Sequence, residues 1–285
     1  MSPLSPPGTH TATPSGAPIA PLRVALIGWG AIARRFVELL AERNGQRVTI
    51  CAVCLPAGVP AEDIPHGASV VTEPAGLATA RPEIVIEMAG RGAVAQWGEA
   101  ALTHARAFVA ASTSAFTDDA LLARLVKTAE DQGSQLVIPP GAVGGIGALV
   151  SASALALDEV CHSIVKPPGA WRGTAAETLV DLGALTEATA FFNGTAREAA
   201  QQYPQNANVT IITALAGVGL DQTRVMMVAD PATTRNQHII HASGDFGVLD
   251  FTIQARPLAS NPKSSEMTAL GLVRFVENRF RPLVR

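Results

Sequence analysis

The 285-residue chain is 48% hydrophobic and 16% charged, the composition of a folded globule with room for two domains and a sizeable core. A formal net charge of -3 argues against a general nucleic-acid binder, which would carry a basic patch or a high pI. Three cysteines are too few and too scattered for a disulfide framework, and no stretch has the unbroken apolar length of a membrane span.

Residues 1–20 are rich in Pro, Ser, Thr and Gly and lack both a basic n-region and an apolar h-region. They read as a disordered tail, not a signal peptide, with the cytoplasm as the expected compartment. Residues 24–27 form a short apolar run, as in a strand buried on both faces. Gly28, Gly30 and Ala33 follow in the pattern G-x-G-x-x-A, and Ile32, Phe36, Leu39 and Leu40 then recur at helical spacing. Strand, tight turn and helix together make a dinucleotide-binding fingerprint over Gly28, Gly30, Ala31, Ile32 and Ala33. Gly28 permits the turn, Gly30 lets a pyrophosphate approach the backbone, and Ala33 lets the helix pack closely on the strand. The free N–H groups and positive end of the helix face the phosphates. An ordinary βα turn rich in small residues is the plainer alternative.

A second strand spans 47–53. An NAD-specific site would place an Asp or Glu at its end, but Cys54, Leu55 and Pro56 stand there, with Glu62 and Asp63 in the following loop. Arg34 and Arg35 lie just past the glycine turn, so NAD and NADP are both admitted; solvated helix charges are the alternative. Cys51 and Cys54 read C-x-x-C, but in an apolar run and without a second pair they read as core thiols, and no metal site is expected. Further strands fall at 70–71, 83–89, 107–111 and 135–138. Helices fall at 93–105 and from Asp118 or Asp119 to Gly133. Alternation of this kind implies a parallel, doubly wound sheet with the cofactor along the C-terminal strand ends.

The turn-rich stretch Pro139 to Gly145 reads as a hinge. A helix over 146–157 follows, then a strand from 160 to 165 that ends at Lys166 before two prolines. Thr195 and Glu198 form a capping box for a helix stopping near Tyr203. A helix over 206–215 and strands at 223–229, 236–243 and 248–255 follow. A last helix runs from about 266 to 278, with Met267, Leu270, Val273 and Arg274 on one side. The expected organisation is a tail at 1–20, a Rossmann-type domain at 21–139 joined by the C-terminal segment 261–285, and an α+β domain at 140–260 whose exposed sheet face is a candidate dimer surface. His238 and His241 share one strand, but alternation turns them to opposite faces, so they cannot easily form one metal site or one acid–base pair. Lys166 and Lys263 are substrate anchors or solvated charges, and the acid or base stays unassigned at this level.

Taken together, several segments resemble the L-aspartate dehydrogenase family. They include the glycine turn from Gly28 to Ala33, Pro140-Gly-Ala-Val-Gly-Gly-Ile, Lys166-Pro-Pro, Asn193-Gly-Thr-Ala-Arg-Glu-Ala, Pro204-Gln-Asn-Ala-Asn-Val, Ala229-Asp-Pro with Asn236-Gln-His, Gly244-Asp-Phe-Gly and Asn261-Pro-Lys-Ser-Ser. They run in order over nearly the whole chain. The resemblance implies a fold similar to homoserine dehydrogenase and a homodimer formed through the second domain. It implies NAD(P)-dependent conversion of L-aspartate through an imine to oxaloacetate and ammonia; some members supply iminoaspartate for NAD biosynthesis. It places the catalytic histidine on His238, the nicotinamide-side asparagine on Asn208, and a cofactor-binding alanine on Ala142 or the residue beside it. Two substrate carboxylates call for cations and hydroxyls, with Lys166, Lys263 and Ser264 as candidates. A related reductase of another amino or hydroxy acid, or a non-catalytic NAD(P)-binding sensor, is the competing reading.

Overall fold

The computed structural model describes residues 20–284; the expected tail, apart from residue 20, lies outside them. The first half alternates strands and helices. They are β1 (Leu22–Ile27), α1 (Ala31–Asn44), β2 (Val48–Cys54), β3 (Ser69–Val71), α2 (Leu77–Ala80), β4 (Ile84–Glu87), α3 (Arg91–His104), β5 (Ala107–Ala110), α4 (Asp119–Gln132) and β6 (Gln135–Val137). These strands pair in parallel in the order β3-β2-β1-β4-β5-β6. The order reverses between β1 and β4, the switch point at which a doubly wound sheet opens a crevice at its C-terminal edge. Buried apolar side chains on both faces of β1 explain its continuous run: Val24 and Leu26 face one cluster, Ala25 and Ile27 the other.

The second half begins with α5 (Ile146–Ala152) and β7 (Leu157–Lys166). It continues through β8 (Thr189–Thr195), α6 (Ala196–Gln202), α7 (Ala207–Ala216), β9 (Arg224–Ala229), β10 (Gln237–Gly244) and β11 (Gly247–Gln254). Its sheet is mixed, in the order β11-β10-β7-β9-β8. A short hairpin of β12 (Pro257–Leu258) and β13 (Asn261–Ser265) leads into α8 (Glu266–Glu277). α8 returns to the first sheet, where Ala269, Leu272, Val273 and Val276 join the cluster of Phe36, Leu39 and Leu40 on α1. The Glu277 carboxylate fastens this contact by accepting from Arg43 at 2.9 Å, Asn44 at 3.0 Å and Arg281 at 2.7 Å.

Three expectations change. The helix expected over 146–157 ends at Ala152, because the chain turns at Ser153–Leu155 to bring Leu157 into the sheet. The buried stripe of α8 is 269/272/273/276, which shares only Val273 with the side marked in the sequence and leaves Leu270 38% exposed, because packing on α1 rotates the helix part of a turn from that side. β8 was not foreseen; it is an edge strand with only Gly194 buried, so its apolar signal is weak. The capping box is present: Thr195 accepts from the N–H of Glu198, whose carboxylate accepts from the N–H of Thr195. Asp118 caps α4 and Gly133 closes it in the left-handed region.

Two local devices shape the crevice. Gly28 has φ +94°, and a Cβ there would stand 2.8 Å from the Cβ of Ala89, so only glycine lets the turn after β1 pass the end of β4. At the hinge, a Cβ on Gly145 would lie 2.8 Å from the Phe251 ring, and one on Gly144 closer still, so the glycines let β11 pack on the crossing segment.

Candidate active site

One cleft lies between the C-terminal edge of the first sheet and the inner face of the second. Its first wall is Ile32 at the start of α1, Met88 after β4, Ser112 after β5 and Ala142 in the hinge. Facing it are Lys166, Asn206, Asn208, Asn236 and His238, with Arg256 and Ser264 at the hairpin. Of the residues singled out in the sequence, Ile32, Ala142, Lys166, Asn208, His238 and Ser264 therefore meet in one place. Gly28, Gly30, Ala31 and Ala33 form the adjoining turn and first helical turn, with Ala33 fully buried. Lys263 lies on β13, and its side chain falls outside the described ones.

The turn fits a dinucleotide. Gly30 caps α1 without any side-chain hydrogen bond to the free N–H groups, and a Cβ built on it would meet nothing within 4 Å. Open space over an uncapped helix start accepts a phosphate. Gly90 opens α3 in the same way, with φ +139° and no side-chain cap. Around this turn the two arginines behave differently. Arg35 is engaged, donating to Glu266 at 2.8 Å and Glu38 at 3.2 Å, and so ties α1 to the start of α8. Arg34 stands over the Trp29 ring at 5.1 Å and 3.6 Å from Asp63, so the loop beyond β2 returns its acids to the rim of the glycine turn. Cys51 and Cys54 are buried in β2, and burial pushes the Cys54 thiol up to about 12.

Strand alternation orders the second wall. His162, Ile164 and Lys166 of β7 share the inner face with His238, Ile240 and Ala242 of β10, in the register that pairs His238 with Ile164 and Ile240 with His162. His238 is 6% exposed; its Nδ1 lies 3.1 Å from Nε2 of the fully buried His162. Burial first, and the neighbouring Lys166 charge second, lower the His238 pKa to about 4. His241 points to the other face, where its Nδ1 lies 2.8 Å from an oxygen of its cross-strand partner Asp250. Lys166 donates to Asn206 at 2.6 Å and sits 4.9 Å from the Trp171 ring, and burial lowers its pKa to about 8. Asn208 accepts the N–H of Ser114 at 2.9 Å through its side chain, and its carbonyl accepts the Thr113 hydroxyl at 2.8 Å. It therefore joins α7 to the loop after β5.

The sequence reading gave no role to Asn206, Asn236, Arg256, His162 and Glu87, although Asn206 and Asn236 stand in the segments that carry the resemblance. Glu87 is fully buried and accepts four hydrogen bonds, from the N–H groups of Ala89 and Gly90 (both 2.7 Å) and from the N–H and hydroxyl of Ser112 (both 2.9 Å). Burial pushes its pKa up and the four donors oppose that shift. A lone acid in an otherwise apolar strand was its available signal. The others are ordinary polar residues whose neighbours come from distant segments.

An open parallel sheet in this strand order, an uncapped glycine turn at its switch point and a polar cleft containing a histidine and a buried lysine define a dinucleotide-dependent oxidoreductase. The family model described as "Homoserine dehydrogenase, NAD binding domain" matches residues 28–139, and the one described as "Aspartate dehydrogenase, C-terminal" matches residues 148–279. The chain is 53% identical to the L-aspartate dehydrogenase of Brucella anthropi over 257 residues, covering 90% of this chain and 96% of that protein. It is 37% identical to the L-aspartate dehydrogenase of Pseudomonas aeruginosa over 262 residues, covering 90% and 97%. The crystal structure of aspartate dehydrogenase from Thermotoga maritima matches with a TM-score of 0.72 at 26% identity, covering 93% of this chain and 99% of that one. A hyperthermophilic archaeal homoserine dehydrogenase in complex with NADPH shares the fold, with a TM-score of 0.58 at 12% identity over 93% of this chain and 99% of that one. The chain belongs to the L-aspartate dehydrogenase family, enzymes that use NAD or NADP.

Proposed function

We propose that the cleft oxidises L-aspartate to iminoaspartate and hydrolyses the imine to oxaloacetate and ammonia, with His238 as the base. The observation that carries this assignment of roles is the convergence of His238, Lys166, Arg256 and Ser264 beside Ile32, Ala142 and Asn208 in one cleft. When bound, the nicotinamide supplies the hydride acceptor for the substrate Cα. Gly28, Gly30 and the first turn of α1 would hold the pyrophosphate, and Ala142 and Asn208 would hold the nicotinamide end. Lys166, oriented by Asn206, binds one substrate carboxylate, and Arg256 and Ser264 bind the other. Lys263 belongs with this second group as a further candidate. His238 takes a proton from the substrate ammonium and releases it to solvent, then takes one from the water that adds to the imine carbon and returns it to the nitrogen as ammonia leaves. A dicarboxylate beside Lys166 offsets the charge that depresses the His238 pKa, so the base gains proton affinity when substrate is present.

Purified protein supplied with L-aspartate and either NAD+ or NADP+ should reduce the nucleotide. Turnover on other amino or hydroxy acids, with none on L-aspartate, would replace this reading with that of a related reductase. Binding of the nucleotide without any turnover would leave the sensor. No helix among the described residues is long and apolar enough to cross a membrane. The proposed compartment is the cytoplasm, and a supply of iminoaspartate to NAD biosynthesis is the proposed cellular use. Residues 21–139 with 261–285 are the proposed cofactor unit, and 140–260 the substrate unit. The outer face of the second sheet exposes Met226 (38%) and Val248 (66%), which supports pairing of two copies there and leaves the glycine turn free. Light scattering should give the mass of a dimer, and a monomer would remove that part of the proposal.

A further inference from the structure

Behind His238 a chain of hydrogen bonds runs into the core. The His238 Nδ1 lies 3.1 Å from His162 Nε2, and His162 Nδ1 lies 2.9 Å from the Thr213 hydroxyl. That hydroxyl lies 3.1 Å from the carbonyl of Val209, one turn earlier on α7. His162 is fully buried and Thr213 fully buried, so every group in the chain needs a partner of opposite sense. His162 is held neutral by burial, so one of its ring nitrogens donates and the other accepts.

Two proton arrangements satisfy this geometry. In one, Thr213 donates to the Val209 carbonyl and accepts from His162 Nδ1–H. His162 Nε2 then accepts from His238 Nδ1–H, and His238 Nε2 is left as a lone pair. In the other, Thr213 donates to His162 Nδ1, every donor reverses, and His238 Nε2 carries a hydrogen. Only the first arrangement serves a base. It is also the only one that persists once His238 is protonated, because an imidazolium donates from both nitrogens and His162 Nε2 must then accept. The Val209 carbonyl, which can only accept, terminates the chain in that sense.

We infer that His162 and Thr213 are positioning residues that hold His238 as its Nδ1–H tautomer, with the Nε2 lone pair available to substrate. Neither touches the reacting atoms. Their effect is to fix which nitrogen of His238 carries the proton, as the hydrogen bond made by one ring nitrogen dictates the state of the other. The inference rests on the reading of His238 as the base, and the test separates the two.

The test uses the full chain labelled with 15N-histidine, with long-range nitrogen–proton correlations to read each ring tautomer and steady-state kinetics alongside. The wild type should show a protonated Nδ1 and a bare Nε2 at His238. Thr213→Val keeps the shape but removes the acceptor for His162 Nδ1–H. It should reverse the His162 tautomer and switch His238 to Nε2–H. The kcat for L-aspartate should then fall by about 10–100-fold, with KM and nucleotide affinity unchanged. Thr213→Ser, which keeps the oxygen, should restore both the tautomer signature and turnover. A wild-type His238 protonated on Nε2, or an unchanged tautomer in Thr213→Val, would overturn the inference. A tautomer switch with no loss of kcat would support the relay and instead overturn the reading of His238 as the base.

Discussion

His238 and His241 stand three positions apart on one strand and live in opposite surroundings. The first is buried against His162 with Lys166 nearby, and the second sits on the outer face beside Asp250. His238→Ala is expected to lower turnover by about 10²–10⁴ with nucleotide binding retained, as for loss of a general base. His241→Ala should cost far less, and steady-state kinetics on both variants decide; a larger loss in His241→Ala would refute the assignment. The same environment sets the pH profile. A base must be unprotonated, and a pKa near 4 leaves His238 ready well below the ordinary histidine range. A carboxylate anchor must be protonated, and Lys166 loses its charge near about 8. In the free enzyme kcat/KM should therefore fall toward pH 4 on the acid side and above pH 8 on the alkaline side. Lys166→Arg should remove the alkaline fall, since a guanidinium keeps its proton. An alkaline limb that stays in place in that variant would detach Lys166 from substrate binding.

β4 does more for the cleft than its four residues advertise. Its last residue, Glu87, gathers the start of α3 and the loop after β5 onto one carboxylate, and Met88 and Ser112 beside it line the cleft. Glu87→Gln replaces one accepting oxygen with a donor that faces N–H groups. The expected cost is about 1.5–3 kcal/mol, the range for a hydrogen bond to a charged group, together with weaker nucleotide binding. Urea titration and nucleotide titration measure the two effects; a variant with wild-type values in both would mean that the loops hold their places without the carboxylate. Elements with local signals were legible in the sequence. The capping box at Thr195, the cap at Asp118 and the closing Gly133 each satisfy helix ends with neighbouring residues. The facing of α8 was not legible, because period 3.6 marks a stripe but the partner helix selects which stripe is buried. The edge strand β8 was not legible either, since one buried residue leaves little alternation to detect.

Across the whole molecule, burial of two neutral histidines ties stability to pH. The unfolded chain binds a proton on each near the ordinary value of 6.5, while the folded chain binds on His238 only near 4. Stability is therefore fully present above 6.5 and is lost as pH falls toward 4, by roughly 3 kcal/mol for His238 alone. The urea midpoint should drop between about pH 7 and pH 5, and His238→Asn should drop less because it has no proton to exclude. An equal drop in both would assign the acid sensitivity elsewhere. The strand–glycine–helix unit, the parallel alternation of the first half and the opposite facing of His238 and His241 were determined by the sequence itself, because each follows from spacing within one segment. What only the tertiary structure decided is who meets whom. Arg35 is tied to Glu266, 231 positions away. His162, unremarkable in mid-strand, becomes the partner of His238 because the β7–β10 register sets them diagonally on one face. Arg256 and Asn206 reach the cleft through the hairpin and the start of α7. Pairings of this kind depend on strand order and helix docking over the whole chain, and no local pattern encodes them.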